Sequence, residues 1–326
     1  MIFFGDLHLD EYRMFSTILE NGFNSRLMEQ IKVVNQVVQK IEELGEENVI
    51  FLGDLINSFA GSLPKVIYNA AYLTCRLIAE KANLYLIIGN HDLFRNMHIF
   101  QAFAEIPNVF IVSSPVTERI EGYQADLIPW DCALPIQKGD ILAGHLSVLG
   151  SWENASKHKS EEGIHSTSMF GYKHIFLGHF HDAQPIEVPG AQTAMYTGSI
   201  MQINLAGSVM ERGLYRLKDD KVEFFPIKSP QIKEITLETP EAAKEFLDRG
   251  YNEIDYFKIT VRHREIELPT FDHKVIVEYD LAPSAPELRF ANQPDENIIE
   301  TIENFIDQSN TALPKDKIKE KLKEIL

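Results

Sequence analysis

Five short apolar segments of this chain each lead into a glycine that is followed by aspartate, asparagine or histidine. The five junctions are Gly5-Asp6-Leu7-His8, Gly53-Asp54, Gly89-Asn90-His91-Asp92, Gly144-His145 and Gly178-His179-Phe180-His181. One Gly-His-x-His sequence alone could be two solvated histidines, but five junctions built in the same way indicate a shared site. Seven side chains at these junctions are candidate metal ligands: Asp6, His8, Asp54, Asn90, His145, His179 and His181.

The residue types at the junctions favour a particular class of metal ion. Apolar runs of four to eight residues bounded by glycine are typical of strands buried on both faces of a parallel sheet, whose carboxyl ends form the ligand-binding edge. Carboxylate, imidazole and amide oxygen together suit Mn, Fe or Zn better than Ca or Mg, which prefer oxygen ligands only. Seven ligands are too many for one tetrahedral ion and fit two ions that share a carboxylate.

Length, composition and charge narrow the class of protein. The chain has 326 residues, enough for about two domains on the usual size range. Its formal net charge of −17 argues against a protein that binds nucleic acid through its own surface, because phosphate contacts need lysine and arginine. No apolar run approaches the roughly 18–20 residues that span a bilayer. With two cysteines and no signal peptide, we expect a soluble cytoplasmic protein, with no membrane partner, in a bacterial or phage-infected cell.

The elements that would position the ligands alternate between strand and helix, which indicates an α/β fold with parallel pairing. Apolar residues at three- and four-residue spacing predict a helix over 25–44, ended by Gly45, and a second helix over 64–81. Further strands are expected at 109–112 and 125–129, followed by a long loop over 151–172. Strands at 193–197, 213–217 and 222–226 have an antiparallel pattern. Four histidines that match no motif are expected on the surface: His98, His158, His165 and His174.

Three domains are predicted along the chain: 1–228, 229–290 and 291–326. The second is a small α/β unit, with strands at 232–237, 256–262 and 274–280 and a helix over 240–249. Pro283 and Pro286 mark a linker. The tail is read as two amphipathic helices, the first burying Ile298, Ile302, Phe305 and Ile306, and the second starting at Pro314. These tail helices could bind a partner or pack on their own chain.

The five motifs, in this order, resemble those of the calcineurin-like metallophosphoesterases over roughly the first 225 residues. The resemblance implies a four-layer α-β-β-α sandwich with two divalent ions at the strand ends, Mn being favoured over Mg, Fe or Zn. By position, one ion would be held by Asp6, His8, Asp54 and His181, and the other by Asp54, Asn90, His145 and His179. His91 would then be the catalytic general acid for the leaving oxygen, with a structural hydrogen-bonding role as the alternative. Asp92 would orient a neighbouring group.

Within that family, the arginines typical of phosphoprotein phosphatases are missing after Asp54 and before Asn90. The Gly-Asp-Leu, Asn-His-Asp and Gly-His-Phe-His blocks look more like the SbcD nuclease subunits, the family of meiotic recombination eleven. The runs Asp126–Trp130 and Tyr196–Ser199 are similar to bacteriophage recombination nucleases of that group. Many members carry a histidine where Asn57 or Ser58 stands here.

This resemblance implies a Mn-dependent DNA nuclease, a 3′-5′ duplex exonuclease and single-strand endonuclease that acts in DNA repair or recombination. It would be a homodimer, with 229–290 as a capping domain and the tail bound to an SbcC-type coiled-coil ATPase. The partner could supply the basic DNA surface that the acidic chain lacks. Two other hypotheses are a small-molecule or nucleotide phosphodiesterase or phosphatase of the same superfamily, and a metal-stabilised scaffold without catalysis.

Overall fold

A computed structural model of the protein describes residues 1–57, 63–95, 97–281, 306–307 and 315–325. The chain divides into two units, Met1–Tyr279 and Asp280–Leu326. The strands are β1 (Ile2–Phe4), β2 (Asn48–Phe51), β3 (Asn83–Ile87), β4 (Leu93–Phe94), β5 (Met97–His98), β6 (Val109–Val112), β7 (Val116–Ile120), β8 (Tyr123–Ile128), β9 (Ile141–His145), β10 (His174–Gly178), β11 (Gln184–Pro185), β12 (Thr193–Tyr196), β13 (Gly213–Lys218), β14 (Lys221–Pro226), β15 (Ile232–Leu237), β16 (Tyr256–Val261) and β17 (Val275–Tyr279). The α-helices are α1 (Ser25–Leu44), α2 (Lys65–Ala79), α3 (Pro240–Arg249) and α4 (Lys315–Ile325).

Two six-stranded sheets make up most of the first unit. The first has the order β14-β13-β1-β2-β3-β6, and its strands β1, β2, β3 and β6 are parallel. The second has the order β11-β12-β10-β9-β8-β7, with β8, β9, β10 and β12 parallel. A third sheet of three parallel strands, β15-β16-β17, forms the small α/β unit with α3.

The apolar side chains around the two large sheets form three layers, one between the sheets and one on the outer face of each. Successive residues of a central strand point into different layers. Phe3 of β1 stacks on Phe176 of β10 between the two large sheets, with ring centroids 4.0 Å apart. Ile2 and Phe4 face the opposite way, into the core that the first sheet shares with α1 and α2. The outer face of the second sheet is covered by the loop that follows β9, which contributes Met169 from the 3-10 helix Ser166–Met169. The predicted sandwich fold is thus confirmed, and a loop covers its outer face.

Helix α1 begins and ends where the sequence predicts. The side chain of Asn24 accepts hydrogen bonds from the N–H groups of Arg26 and Leu27, and Gly45 ends the helix in the left-handed region at φ 61°. Its buried face includes the uncharged polar side chain of Gln30, which is 1% exposed. Helix α2 is shorter than the expected 64–81 at both ends.

The structure differs from two expectations about local structure and contains one strand that was not predicted. The strand predicted at 193–197 is only partly antiparallel, since β12 pairs in parallel with β10 after a loop crossover and antiparallel with the two-residue strand β11. His174 is not on the surface: it begins β10 fully buried, with Nε2 3.4 Å from a carboxylate oxygen of Asp220. The sequence did not predict β7, because its residues Thr117–Arg119 are exposed and polar and lack the alternating pattern of a half-buried strand.

The small α/β unit has the expected elements and packs on α1 through a buried arginine. The guanidinium of Arg26 in α1 lies 4.5 Å from the ring centre of Tyr12 and 5.1 Å from that of Tyr256, the first residue of β16. Its Nη2 also donates to the carbonyl of Ile203, at 3.1 Å. Aromatic faces on two sides stabilise this buried cation.

In the second unit, α4 confirms the second tail helix. Most of the first predicted tail helix, including Ile298, Ile302 and Phe305, lies outside the described residues, as do Pro283, Pro286 and Pro314. The three domain boundaries therefore stay predictions. In the part of the chain that the structure describes, no helix is both long and apolar enough to cross a bilayer.

Candidate active site

The candidate ligands meet where the carboxyl ends of strands from both large sheets come together. β1 of the first sheet leads to Asp6 and His8, and β2 and β3 lead to Asp54 and Asn90. The other three histidines lie at the ends of β9 and β10 of the second sheet. Backbone pairing continues past the strand ends, since the N–H of Asp6 donates to the carbonyl of Gly53 and that of His8 to the carbonyl of Asp54. The two loops are therefore held side by side.

Asp6, His8 and His181 form the first cluster. One ligand atom of each lies within 4.8 Å of the others. Asp6 Oδ2 and His8 Nδ1 are buried and have no hydrogen-bond partner among the described residues. Buried polar atoms are seldom left without a partner, so a cation between these side chains would satisfy them.

Asp54 lies between the first cluster and a second group of side chains. Its Oδ2 is 3.4 Å from Nε2 of His8 and 3.3 Å from Nε2 of His145. Asn90 Oδ1 in turn lies 2.9 Å from His145 Nε2 and 3.1 Å from His179 Nδ1. All seven predicted side chains are thus brought into one connected cluster, with Asp54 in the position expected of a bridging carboxylate. Their individual roles as ligands stay predictions.

His91 lies beside this cluster and is half-buried. Its backbone N–H donates to Asp54 Oδ1 at 2.9 Å, and its ring centre is 4.5 Å from that of His8. One ring nitrogen lies within 4.8 Å of ligand atoms of both His8 and Asp54. The position suits a proton donor next to the metal centre, and it also brings His91 within reach of a bound ion.

The backbone at the site is strained. Four of the seven candidate ligands are non-glycine residues with positive φ: Asp6 (52°), His8 (46°), Asp54 (57°) and His179 (106°). Such conformations cost on the order of 1–3 kcal/mol each and persist only where the surroundings enforce them. Close approach explains one glycine here, because a Cβ on Gly89 would lie 2.2 Å from Asp54 Oδ1.

Asp92 connects two of the ligand-bearing loops. Its fully buried carboxylate accepts hydrogen bonds from the backbone N–H groups of Asp54, Leu55, Ile56 and Gly89, at 2.9 to 3.3 Å. The loop after β2 is therefore joined to the loop after β3. This is the orienting role that the sequence suggested for Asp92 without naming the groups.

Two further positioning residues were missed by the sequence analysis. Gln30 of α1 donates from Nε2 to the carbonyls of Leu7 and His8 and accepts the N–H of Asp10, so the helix holds the first ligand loop. The sequence contained an indication of this role, because a glutamine three residues after Leu27 falls on the apolar face of α1.

Arg212, next to β13, holds the last ligand motif. Its Nη1 donates to the carbonyl of His181, and its Nη2 lies 3.0 Å from Asp182 Oδ1. Both side chains are largely buried, which makes this a buried ion pair. No local pattern around Arg212 indicated that role.

Burial and charge give the site an unusual electrostatic state. Burial lowers the pKa of His8, and it lowers the pKa of His179 to about 3 and that of His181 to about 4. These imidazoles are therefore neutral, as metal ligation requires. Burial, with repulsion from Asp54, raises the pKa of Asp6 to about 8. Burial disfavours the charge on His145, but the Asp54 carboxylate more than offsets this and raises the pKa of His145 to about 9. The charged form of Asp6 is thus disfavoured unless further positive charge lies nearby.

The cluster opens into space large enough for a substrate. A cavity of about 450 Å³ is lined by Asp54, Asn90, His91, His179 and His181, among others. Asn57, in the loop after Asp54, donates from Nδ2 to Asp10 Oδ2 at 2.8 Å.

Comparison with known families supports this geometry. The family model described as Calcineurin-like phosphoesterase matches residues 1–183, which include all seven candidate ligands and His91. Among curated proteins, none matches the chain.

Proposed function

The chain belongs to the calcineurin-like phosphoesterase family, and we propose that it is a metal-dependent DNA phosphodiesterase, the nuclease subunit of an SbcCD-like complex. Family membership makes it a hydrolase of phosphoester bonds with a dinuclear metal site. The observation that carries the proposal is the convergence of seven metal-ligand side chains and His91 beside an open cavity. The choice of DNA rests on the motif residues, which look like those of SbcD-type nucleases.

The residues fit two divalent ions, and we propose Mn. One ion would be held by Asp6, His8, Asp54 and His181, and the other by Asp54, Asn90, His145 and His179. When bound, such a pair neutralises phosphate oxygens and lowers the pKa of water. The chain itself holds the ligand loops in place through Asp92, Gln30 and Arg212.

His91 is the group placed to move a proton. Its backbone is tied to Asp54, and its ring lies against His8 at the edge of the 450 Å³ cavity. A phosphodiester in this cavity would present its leaving oxygen to the imidazole, which donates the proton that the departing alkoxide needs. General acid catalysis of this kind contributes on the order of 10²–10⁴ in rate.

Partners follow from the same proposal. The small unit β15–β17 with α3 would be the capping domain of such a nuclease, and the tail would bind a coiled-coil ATPase. Five lysines between 315 and 323 make the tail locally basic. We expect a homodimer whose ATPase partner supplies most of the cationic surface for DNA, because the chain itself has a net charge of −17.

A second candidate is a phosphodiesterase or phosphatase for nucleotides or other small molecules. One observation favours it: a cavity of about 680 Å³ beside His179 is lined by Asp131, Glu153, Glu161 and Glu162. Four acidic side chains repel a long polyanion more strongly than a small diester.

The test is Mn-dependent digestion of end-labelled duplex and single-stranded DNA by the wild-type chain, with and without a coiled-coil ATPase. Asp54→Ala should lose both activity and bound metal. His91→Ser should lose activity on the order of 10²-fold or more and keep two ions, measured by elemental analysis. His165→Ser, an exposed histidine outside the site, is the matched control and should behave as wild type.

The outcomes separate the hypotheses. If Asp54→Ala and His91→Ser digest DNA as fast as wild type, the site assignment is wrong. Turnover of nucleotide or small diesters without any DNA cleavage selects the second candidate. Metal binding without turnover of any phosphodiester selects a non-catalytic scaffold. Loss of metal in His91→Ser would make His91 a ligand and remove it as the proton donor.

A further inference from the structure

Trp130 stands beside the candidate metal centre and has no role in the mechanism above. It follows the end of β8 by two residues, and its backbone N–H donates to the carbonyl of Ile88 at the end of β3. The indole lies 4.6 Å from the ring centre of His179 and 5.9 Å from that of His145. A partly exposed indole is therefore held in place at the junction of the two large sheets.

Trp130 lines two cavities. One, of about 680 Å³, also has Leu146, Ile164 and Phe180 in its wall. The other, of about 520 Å³, also has Leu93 and Gln101 in its wall. Trp130 and its neighbour Asp131 line both, and the larger cavity also reaches His179 of the candidate metal centre.

We propose that Trp130 is the stacking surface of a nucleobase-binding site next to the reacting phosphate, which makes the substrate a nucleotide diester. This inference rests on the proposed phosphodiesterase function. A base is joined to its phosphate through a single sugar, so a phosphate at the metal centre places a flanking base in an adjoining cavity. Aromatic side chains beside a backbone-binding site are the usual platforms for such bases, and stacking tolerates any base sequence.

The polarity of the larger cavity suits a base better than a phosphate. Its carboxylates, including Glu161 and Glu162, disfavour a phosphate group but can accept hydrogen bonds from the exocyclic amino groups of bases. Leu146, Ile164 and Phe180 supply apolar contact for the ring. The acidic lining is thus compatible with a nucleotide substrate whose phosphate lies at the metal centre and whose base lies in the cavity.

The chain offers a direct optical test, because Trp130 and Trp152 are its two tryptophans. In a Trp152→Phe/His91→Ser protein loaded with Mn, all indole emission comes from Trp130 and turnover is suppressed. Binding of a labelled single-stranded oligonucleotide is followed by anisotropy while Trp130 emission is recorded. We expect binding to quench the emission, and an oligonucleotide with abasic flanking positions to bind without quenching.

A thermodynamic cycle distinguishes stacking from mere packing of the indole on His179. In the same background, Trp130→Ala should weaken binding of the normal oligonucleotide on the order of 5- to 150-fold and leave binding of the abasic one unchanged. Trp130→Phe should restore most of the affinity. Equal weakening of both oligonucleotides would overturn the proposal and assign Trp130 a structural role, as would binding without quenching in the Trp152→Phe/His91→Ser protein.

The proposed function and this inference can fail separately. If no oligonucleotide binds, a dinucleoside monophosphate is used as the probe. If the dinucleoside monophosphate quenches Trp130 emission, the base site is supported and DNA is excluded as the substrate. The opposite result is a dinucleoside monophosphate that does not quench Trp130 emission, while protein that retains His91 hydrolyses diesters without a base. In that case the phosphodiesterase function stands and the base site is wrong. Should Trp130→Ala fail to fold, the quenching measurement still decides, since it uses the native Trp130.

Discussion

Replacing Asp92 by asparagine tests how the two ligand loops are held together. The carboxylate of Asp92 accepts four backbone N–H groups, two on each oxygen: those of Asp54 and Gly89 on Oδ2, and those of Leu55 and Ile56 on Oδ1. Asparagine has nearly the same shape but keeps a single oxygen. Two buried N–H groups would then face an amide NH₂, which donates and cannot accept.

The expected cost follows from those two groups. A buried donor left without an acceptor costs on the order of 1–3 kcal/mol, so Asp92→Asn should destabilise the fold by about 2–6 kcal/mol. Such a loss is a large fraction of the 5–15 kcal/mol typical of a folded domain, and lowers the melting midpoint by roughly 2–4 °C for each kcal/mol. Burial and repulsion from Asp54 raise the pKa of Asp92 to about 7. The comparison should therefore be made near pH 8, where the carboxylate is charged.

The assay is thermal unfolding in Mn-containing buffer, together with Mn titration of the folded protein. Glu105→Gln is the matched control, because Glu105 is an exposed carboxylate and its conversion to an amide should change stability by less than about 0.5 kcal/mol. Asp92→Asn should melt well below this control and bind Mn more weakly. Equal midpoints and equal Mn affinity for the two variants would refute the view that Asp92 holds the loops.

Three other outcomes follow from the site and its surroundings. Arg212→Met should destabilise the fold by about 3 kcal/mol and weaken Mn binding, because it leaves the carboxylate of Asp182 without its buried partner. The control is Arg249→Met, which breaks an exposed pair with Glu245 and should cost at most about 1 kcal/mol in the same unfolding assay. Mn at about 100 times its dissociation constant should stabilise the wild-type chain by about 2.7 kcal/mol relative to chelator, and the shift in midpoint should vanish in Asp54→Ala. Burial lowers the pKa of His174, although Asp220 faces it, so the folded chain keeps this imidazole neutral while the unfolded chain takes up a proton below about pH 6.5. The free energy of unfolding should therefore fall as pH drops from 6.5 toward the pKa of His174 in the folded chain. Between pH 7.5 and 5, in the presence of chelator, His174→Gln should lose less stability than the wild-type chain. Identical pH profiles for the two proteins would contradict this.

The positions of the ligands could be predicted because their signal is local. A short apolar run, a glycine and a polar residue together specify a strand end, and parallel strands bring their carboxyl ends to one edge. This reasoning predicts that Asp6, Asp54 and Asn90 lie together, as they do in the structure, and the predicted helix over 25–44 agrees with α1. The family resemblance was needed to divide the ligands between two ions.

What the sequence could not show depends on long-range packing. The parallel partner of β12 is chosen by the crossover after β10, which no local periodicity encodes. Arg212 reaches His181 from 31 positions along the chain. His174 was assigned to the surface because it matches no motif, whereas its place at the start of a central strand buries it. Trp130 stood in a recognised run, but its contact with His179 depends on how the two sheets meet.

The arginine at the start of α1 determines how the chain can be shortened. The guanidinium of Arg26 contacts the rings of both Tyr12 and Tyr256. Deleting all residues after 228 would remove Tyr256 and expose this buried cation to solvent. Tyr12 also donates its hydroxyl to the carbonyl of His8, so that damage would reach the metal ligands. A minimal catalytic fragment would therefore have to extend through β17, or carry a neutral side chain in place of Arg26 that tolerates the loss of Tyr256.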